Sequence, residues 1–395
     1  MKITGNKPVL NKKGKPLTIG MIGDHWCIRV HKRALALQKC GYRIIICGRK
    51  VSYGTDQYPL FLMWHDERQF KNAVRVMINE GADILDFSNE PDHPVRWIRE
   101  VIDEMGVGDH VKLVTDLHDL DLIRRGFITK NEREMFMKSD GLIYVSIPIQ
   151  EKANYMHSVT KPNIVLYSYC NQGIIKDVVE EEKVIERKGL VYQGGANAKD
   201  NEDVNRIYPY RYLYDIIKKL VEMGNETHMY VGNVDAYDSH QETGAIMHPP
   251  TIYDKLMKEL LNYKYGILIF NNEKGTEDQV NFTLTNKFFE YTAAGLPSLA
   301  CWCPENMKLV EKWGVGFTFE NISEIKDCSH LEEKYPEIIN NIEKFNKEVY
   351  MENFIVRYEN LLAELLGVPK KGVPAKIKKL HKFEYGREES NFQIY

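Results

Sequence analysis

The amino-acid sequence predicts an α/β protein of two doubly wound, parallel-sheet domains in series. Three observations carry that expectation. Apolar runs alternate with segments of helical period almost throughout. The alternation starts again after a charged stretch, "KDVVEEEKVIERK" (176–188). The 395 residues exceed one ordinary core and suit two domains of about 150–200 residues each.

In the first half, "LTIGMI" (17–22) reads as a buried strand and "RVHKRALALQKC" as the helix after it, with Val30, Ala34 and Leu37 on one face and Gly41 as its stop. "RIIIC" is the next strand, and "QFKNAVRVMINEG" repeats Phe70, Ala73, Val74, Met77 and Ile78 at helical spacing. "DILDF", a helix over "VRWIREVIDEMG", "VKLVTD" and "GLIYVS" continue the alternation. In the second half, "GLVYQGG" (189–195) is a strand running into two glycines, as "LTIGMIG" is. "YLYDIIKKLVEMG", "HMYVGN", "YDKLMKELLN", "YGILIF", a helix over 285–294 and "PSLACW" follow. Such alternation puts parallel strands beneath helices on both faces. The expected organisation is an N-terminal domain (1–168), a linker (169–188) and a second domain (189–340). Helices over 341–366 pack back toward the first domain, and a polar, basic tail (367–395) is expected to be solvated.

Composition narrows the classes. With 43% hydrophobic and 28% charged residues, the chain is globular rather than disordered. A net charge of -3 supplies no global basic field for nucleic acid. Seven cysteines sit singly, apart from Cys301 and Cys303, which are too close and too isolated for a zinc site. Free thiols of a reducing cytosol are expected. No stretch reaches the roughly 18 apolar residues of a membrane span. The basic-then-apolar start resembles a signal peptide, but Gly20, Gly23, Asp24 and His25 interrupt it, so a first buried strand is expected. The expected location is cytoplasmic, with peripheral contact at the inner membrane face through the basic tail as an extension.

The chemistry concentrates in "TNKFFEYTAAGLPSLA" (285–300). Ligands of open α/β sheets bind at the carboxyl ends of the strands, near helix N-termini. The first turn of this helix offers free N–H groups and a positive dipole end suited to a diphosphate. Either Thr285 or Asn286 caps it, or the cap is shared with the ligand. Glu290 shares a face with Asn286, and its carboxylate suits vicinal ribose hydroxyls rather than phosphate. Read on the helix alone, a solvated glutamate explains it equally simply.

"NKFFEYTAAGLPSLA" resembles the nucleotide-sugar segment of family 4 glycosyltransferases, whose fold is the two-domain GT-B type. Lys287, Phe288, Phe289, Glu290, Tyr291, Ala293, Ala294, Gly295, Leu296 and Pro297 fit that motif. "GLVYQGG" is similar to the opening strand and glycine turn of the family's donor domain. "IRVHKRALALQKCGYRI", with Arg29 at its start, resembles the first helix of the acceptor domain, and "VKLVTDLHDLDLIRR" a stretch there ending in an Asp-x-His-Asp group. One departure is Phe282, where many members carry a second glutamate; Glu273 and Asp278 in "NNEKGTEDQVNFT" are candidate substitutes.

The resemblance implies two Rossmann-like domains facing across a cleft and transfer from a UDP- or GDP-linked sugar, with retention and without metal or other cofactor. The catalytic candidates are His118 and Glu273. The donor site would use Gly194, Gly195, Lys199, Arg206, Thr285, Asn286, Lys287 and Glu290; Lys199 and Arg206 are preferred over Arg211 because their segment reads as loop. Gly23, Arg29, Asn89 and Glu90 belong to the acceptor side. The expected acceptor is a glycan or lipid-linked saccharide. The alternatives are a nucleic-acid base and a catalytically silent scaffold. Asp119 and Asp121 also match an Asp-x-Asp metal motif, or simply cap a helix.

Overall fold

A computed structural model describes residues 7–24, 26–50, 54–175, 187–272 and 277–386. Most of the charged stretch at 176–188 and the candidate Glu273 lie outside the described residues. The chain forms two compact units, Met1–Asn171 with Met351–Tyr395, and Gln172–Tyr350.

The first unit holds strands β1 (Thr18–Gly23), β2 (Arg43–Gly48), β3 (Phe61–Met63), β4 (Ile84–Ser88), β5 (Lys112–Leu117), β6 (Gly141–Tyr144) and β7 (Asn163–Val165). They form one sheet in the order β3-β2-β1-β4-β5-β6-β7, every pairing parallel. The second unit holds β8 (Lys188–Gln193), β9 (Thr227–Tyr230), β10 (Ile246–His248), β11 (Tyr263–Ile269), β12 (Ser298–Cys301) and β13 (Gly316–Phe319). Their order, β10-β9-β8-β11-β12-β13, is again all parallel. Both sheets therefore reverse direction beside their first strand, between β1 and β4 and between β8 and β11. Those are the crevices where doubly wound folds bind ligands.

Local chemistry explains the elements that frame these crevices. Asp66 accepts from Gln69 N at 2.8 Å and so caps the helix Glu67–Asn79, whose stripe of Phe70, Ala73, Val74, Met77 and Ile78 is buried. The helix Ile28–Lys39 buries more than its apolar stripe, including Arg29, Lys32 and Arg33, because buried carboxylates and carbonyls receive those cations.

The C-terminal helices differ from expectation. The helices over 341–366 do not act together: Tyr335–Glu348 stays with the second unit and Met351–Leu366 belongs to the first. Phe345 packs edge-on against Phe288 and Trp313. Met351 N donates to Cys170 O, and Phe354 stacks on Tyr169 at 4.0 Å. Nor is the tail simply solvated. Residues Ala375–Tyr385 form a helix that buries Leu380, His381, Glu384 and Tyr385, and Arg357 lies over the Tyr385 ring at 4.0 Å.

Candidate active site

On the second unit, the β8–β11 crevice gathers a glycine turn, a helix start and two cations. The helix Asn286–Ala293 is held down by Tyr291, whose hydroxyl accepts from Gln193 N at 3.2 Å and lies 3.2 Å from Ile267 O. Gly266 makes room for it: a Cβ there would lie 2.4 Å from the tyrosine ring. Thr285 does not cap its own helix with its side chain; its N–H and hydroxyl both donate to Asn306 Oδ1 at 3.1 Å. The helix start is thus anchored from outside rather than by a capping hydroxyl, with Asn286 as the first residue of the helix.

Gly194 follows β8 with φ +128, a conformation that disfavours L side chains. A Cβ on it would lie 2.9 Å from Lys287 Cε and 3.2 Å from Lys287 Nζ. That ammonium also sits 5.0 Å from the Tyr192 ring centre and 5.9 Å from that of Phe270. Around Gly195, a Cβ would come 3.5 Å from Arg211 Nη1. Arg211 ends the one-turn helix Pro209–Arg211, which Asn197 fastens to the glycine turn: its Nδ2 donates to Tyr208 O at 2.8 Å and its backbone N donates to Arg211 O at 3.0 Å. Asn271 N, just past β11, donates to Tyr210 O at 3.1 Å. Glu290 is buried, 3% exposed, and accepts from Gln193 Nε2 at 2.5 Å. It is not a solvated helix glutamate; its carboxylate lies at the carboxyl end of β8.

Lys199 and Arg206 belong to a different surface. Lys199 Nζ lies 3.4 Å from Glu242 and 4.6 Å from the Tyr214 ring centre; Arg206, 79% exposed, pairs with Asp203 at 3.3 Å within its own helix. Their carboxylate partners line a cavity of about 740 Å³ together with Asp200, Glu202, Asp235 and Asp238. A diphosphate would be repelled there. The preference for these two cations over Arg211 is corrected accordingly: Arg206 lies in the helix Glu202–Ile207 rather than in a loop, and both cations neutralise neighbouring acids. Asp278 sits in the helix Glu277–Phe282, where the sequence suggested an irregular loop.

On the first unit the β1–β4 crevice holds a buried charge network. Gly23 ends β1 and is buried. Arg29 donates to Asp116 and, at 2.7 Å, to Leu166 O. Arg33 bridges Asp116 and Asp86, and Tyr358 donates to Asp86 at 2.5 Å. Burial pushes the Asp116 carboxyl up, but Arg29, Arg33 and His118 outweigh it and hold it well below the usual range. For Asp86 burial wins, and its pKa is raised. Arg29, placed on the acceptor side from sequence, is therefore 4% exposed and structural in its contacts.

His118 is the network's outermost member. Its Nε2 lies 3.1 Å from both Asp116 Oδ2 and Ser88 Oγ, and its Nδ1 lies 3.9 Å from Cys27 Sγ. Burial pulls its pKa down, but Cys27 and Asp116 carry it up to about 10, so it is a cation near neutrality. Asn89 fixes this loop: His118 N donates to its Oδ1 at 2.6 Å, and its Nδ2 donates to Asp119 O at 2.6 Å. Glu90 holds φ +80 and pairs with Arg124. Asp121 is taken by Arg124 and Arg125, both at 3.0 Å. Oxygens of Asp92, Asp121 and Glu132 do lie within 4.8 Å of one another, but Glu132 is bonded by His157 and Leu122 N. Asp119 is not in that group.

No protein-family model and no curated protein sequence matches the chain. Solved structures do. HepE from Anabaena, crystallised with UDP, superposes with a TM-score of 0.62 at 12% identity, over 89% of this chain and 100% of that one. AviGT4, a glycosyltransferase involved in avilamycin A biosynthesis, gives 0.56 at 9% identity, over 89% and 98%. WaaG, a glycosyltransferase involved in lipopolysaccharide biosynthesis, gives 0.52 at 10%, over 88% and 99%. At such identities the likeness is one of fold: the chain has the two Rossmann-like α/β domains of the GT-B class.

Proposed function

We propose that this chain is a glycosyltransferase whose second unit binds a nucleotide-diphosphate sugar at the glycine turn after β8. The observation that carries the reading is the convergence of Gly194, Gly195, Lys287, Arg211 and the start of the helix Asn286–Ala293 on one crevice. Anionic ligands are favoured at a helix start, and two cations beside glycines let a diphosphate approach the backbone. Glu290 would accept from the ribose hydroxyls, with Gln193 holding the carboxylate in place. In the transfer step, Lys287, Arg211 and the helix dipole would stabilise the charge developing on the leaving diphosphate. Protein cations in that role support metal-independent turnover. Retention of configuration is supported by the resemblance of residues 286–297 to a retaining family.

On the first unit, His118 is the group we assign to the sugar or acceptor side: a cationic donor steadied by Asp116 and Ser88. The acceptor we favour is a glycan or lipid-linked saccharide; WaaG, one of the similar folds, is involved in lipopolysaccharide biosynthesis. The test is mass spectrometry of turnover over a panel of UDP- and GDP-sugars, with and without EDTA. One donor should be hydrolysed or transferred equally in both conditions, and Glu290→Gln should raise its KM about 10–100-fold, the loss of a charge-assisted hydrogen-bond pair. Turnover that only Mg²⁺ or Mn²⁺ restores would remove the cation-and-dipole mechanism; an unchanged KM would remove the Glu290 role.

A further inference from the structure

Cys27 differs from the other cysteines. Seven are free; Cys40, Cys47, Cys170, Cys301, Cys303 and Cys328 are buried, and Cys27 is partly exposed. It stands at the N-cap of the helix Ile28–Lys39 in extended backbone, where the helix dipole favours a thiolate. The second feature is independent of the helix. His118 Nδ1 lies 3.9 Å from Cys27 Sγ, while its Nε2 is held 3.1 Å from Asp116 Oδ2. Nucleophile, base and orienting carboxylate stand in sequence, the arrangement that activates a thiol. Burial pushes the thiol up, but His118 and the backbone N–H of Val30 together outweigh it and lower its pKa.

We propose that Cys27 is a covalent modification site for soft carbon electrophiles, with His118 as its acid–base partner. With an α,β-unsaturated carbonyl, the thiolate sulfur forms a bond to the β-carbon, the C=C electron pair moves to the enolate, and His118 returns a proton to the α-carbon. With a haloacetamide, the S–C bond forms as the carbon–iodine bond breaks and iodide leaves with the electron pair. The charged and titratable groups around the pair are Asp116 on β5 and Arg29 and Arg33 on the helix. Asp86 and Tyr358 connect through Arg33. Asp116 is already shared by two arginines, so it orients the imidazolium without discharging it.

The test is limiting iodoacetamide on the full chain, with modified cysteines read by peptide mass spectrometry between pH 6 and 9.5. Cys27 should label at least tenfold faster than the other six, and its rate should rise less steeply between pH 7 and 9 than that of an ordinary thiol, which gains tenfold per unit below its pKa. His118→Gln, checked for fold by circular dichroism, should slow labelling at pH 6.5 by tenfold or more and converge with wild type at pH 9.5. An ordinary-thiol pH profile in the wild type overturns the proposal, as does a folded His118→Gln protein labelled at the wild-type rate. If that variant does not fold, the wild-type profile decides alone.

Discussion

At the scale of single residues, Arg33 shows how little of this chain's charge is surface decoration. It is 1% exposed and bridges Asp86 and Asp116, so removing it leaves a buried carboxylate without its counter-charge. Arg33→Met should lower the unfolding free energy of the first unit by about 3–5 kcal/mol, read by urea denaturation; a loss under about 1 kcal/mol would mean the network is relaxed or hydrated. Asp92 offers a test with a pH signature. Burial raises its pKa to about 7, so the folded state holds this proton more tightly than the unfolded chain. Its stabilising contribution is complete below about pH 4, the unfolded carboxylate value, and is lost as pH rises through 7. Asp92→Asn mimics the protonated form and still accepts from Asn89. It should therefore stabilise by about 1–2 kcal/mol at pH 8, discounted for partial exposure, and change little at pH 4. Equal effects at both pH values would contradict this. None of these partners is visible in sequence: "LDF" and "VTDLHD" read as strands ending in polar residues, and only folding shows that Arg29 and Arg33 turn inward to them.

At the scale of elements, strong helical periods such as 67–79 and the long apolar strands were legible because one buried face sets the pattern. β3, β7 and β10 have only three residues and β13 is mostly half-buried, so they carry too little apolar pattern to show. The 375–385 helix was hidden for another reason. Its lysines and the surrounding prolines dominate the composition, while only Leu380, His381, Glu384 and Tyr385 are buried. Truncation after Pro374 should lower the stability of the first unit by about 3–5 kcal/mol, the scale of burying a tyrosine and a leucine. An unchanged melting profile would show that the docked helix is dispensable.

At the scale of the molecule, two sheets with the same order, each reversing beside its first strand, reproduce the doubly wound domains that the restarted alternation predicts. Among the described residues, no helix is long and apolar enough to cross a membrane. The candidate donor site was half legible. Glu290, Lys287 and the two glycines stand out because a helix start and a glycine turn at a strand end each have a chemical meaning in sequence. Arg211 does not, because a one-turn helix and the Asn197 tether bring it to Gly195. Lys199 and Arg206 stood closer in sequence yet face acids. The central claim, a diphosphate site on the glycine turn after β8, is tested most directly by isothermal titration of UDP and GDP into the wild-type chain and three variants. One nucleotide should bind, Lys287→Ala and Arg211→Ala should each weaken it about tenfold or more, roughly the value of a charged hydrogen bond, and Lys199→Ala should bind as wild type does. Undiminished binding to both Lys287→Ala and Arg211→Ala, or a loss confined to Lys199→Ala, would contradict the account.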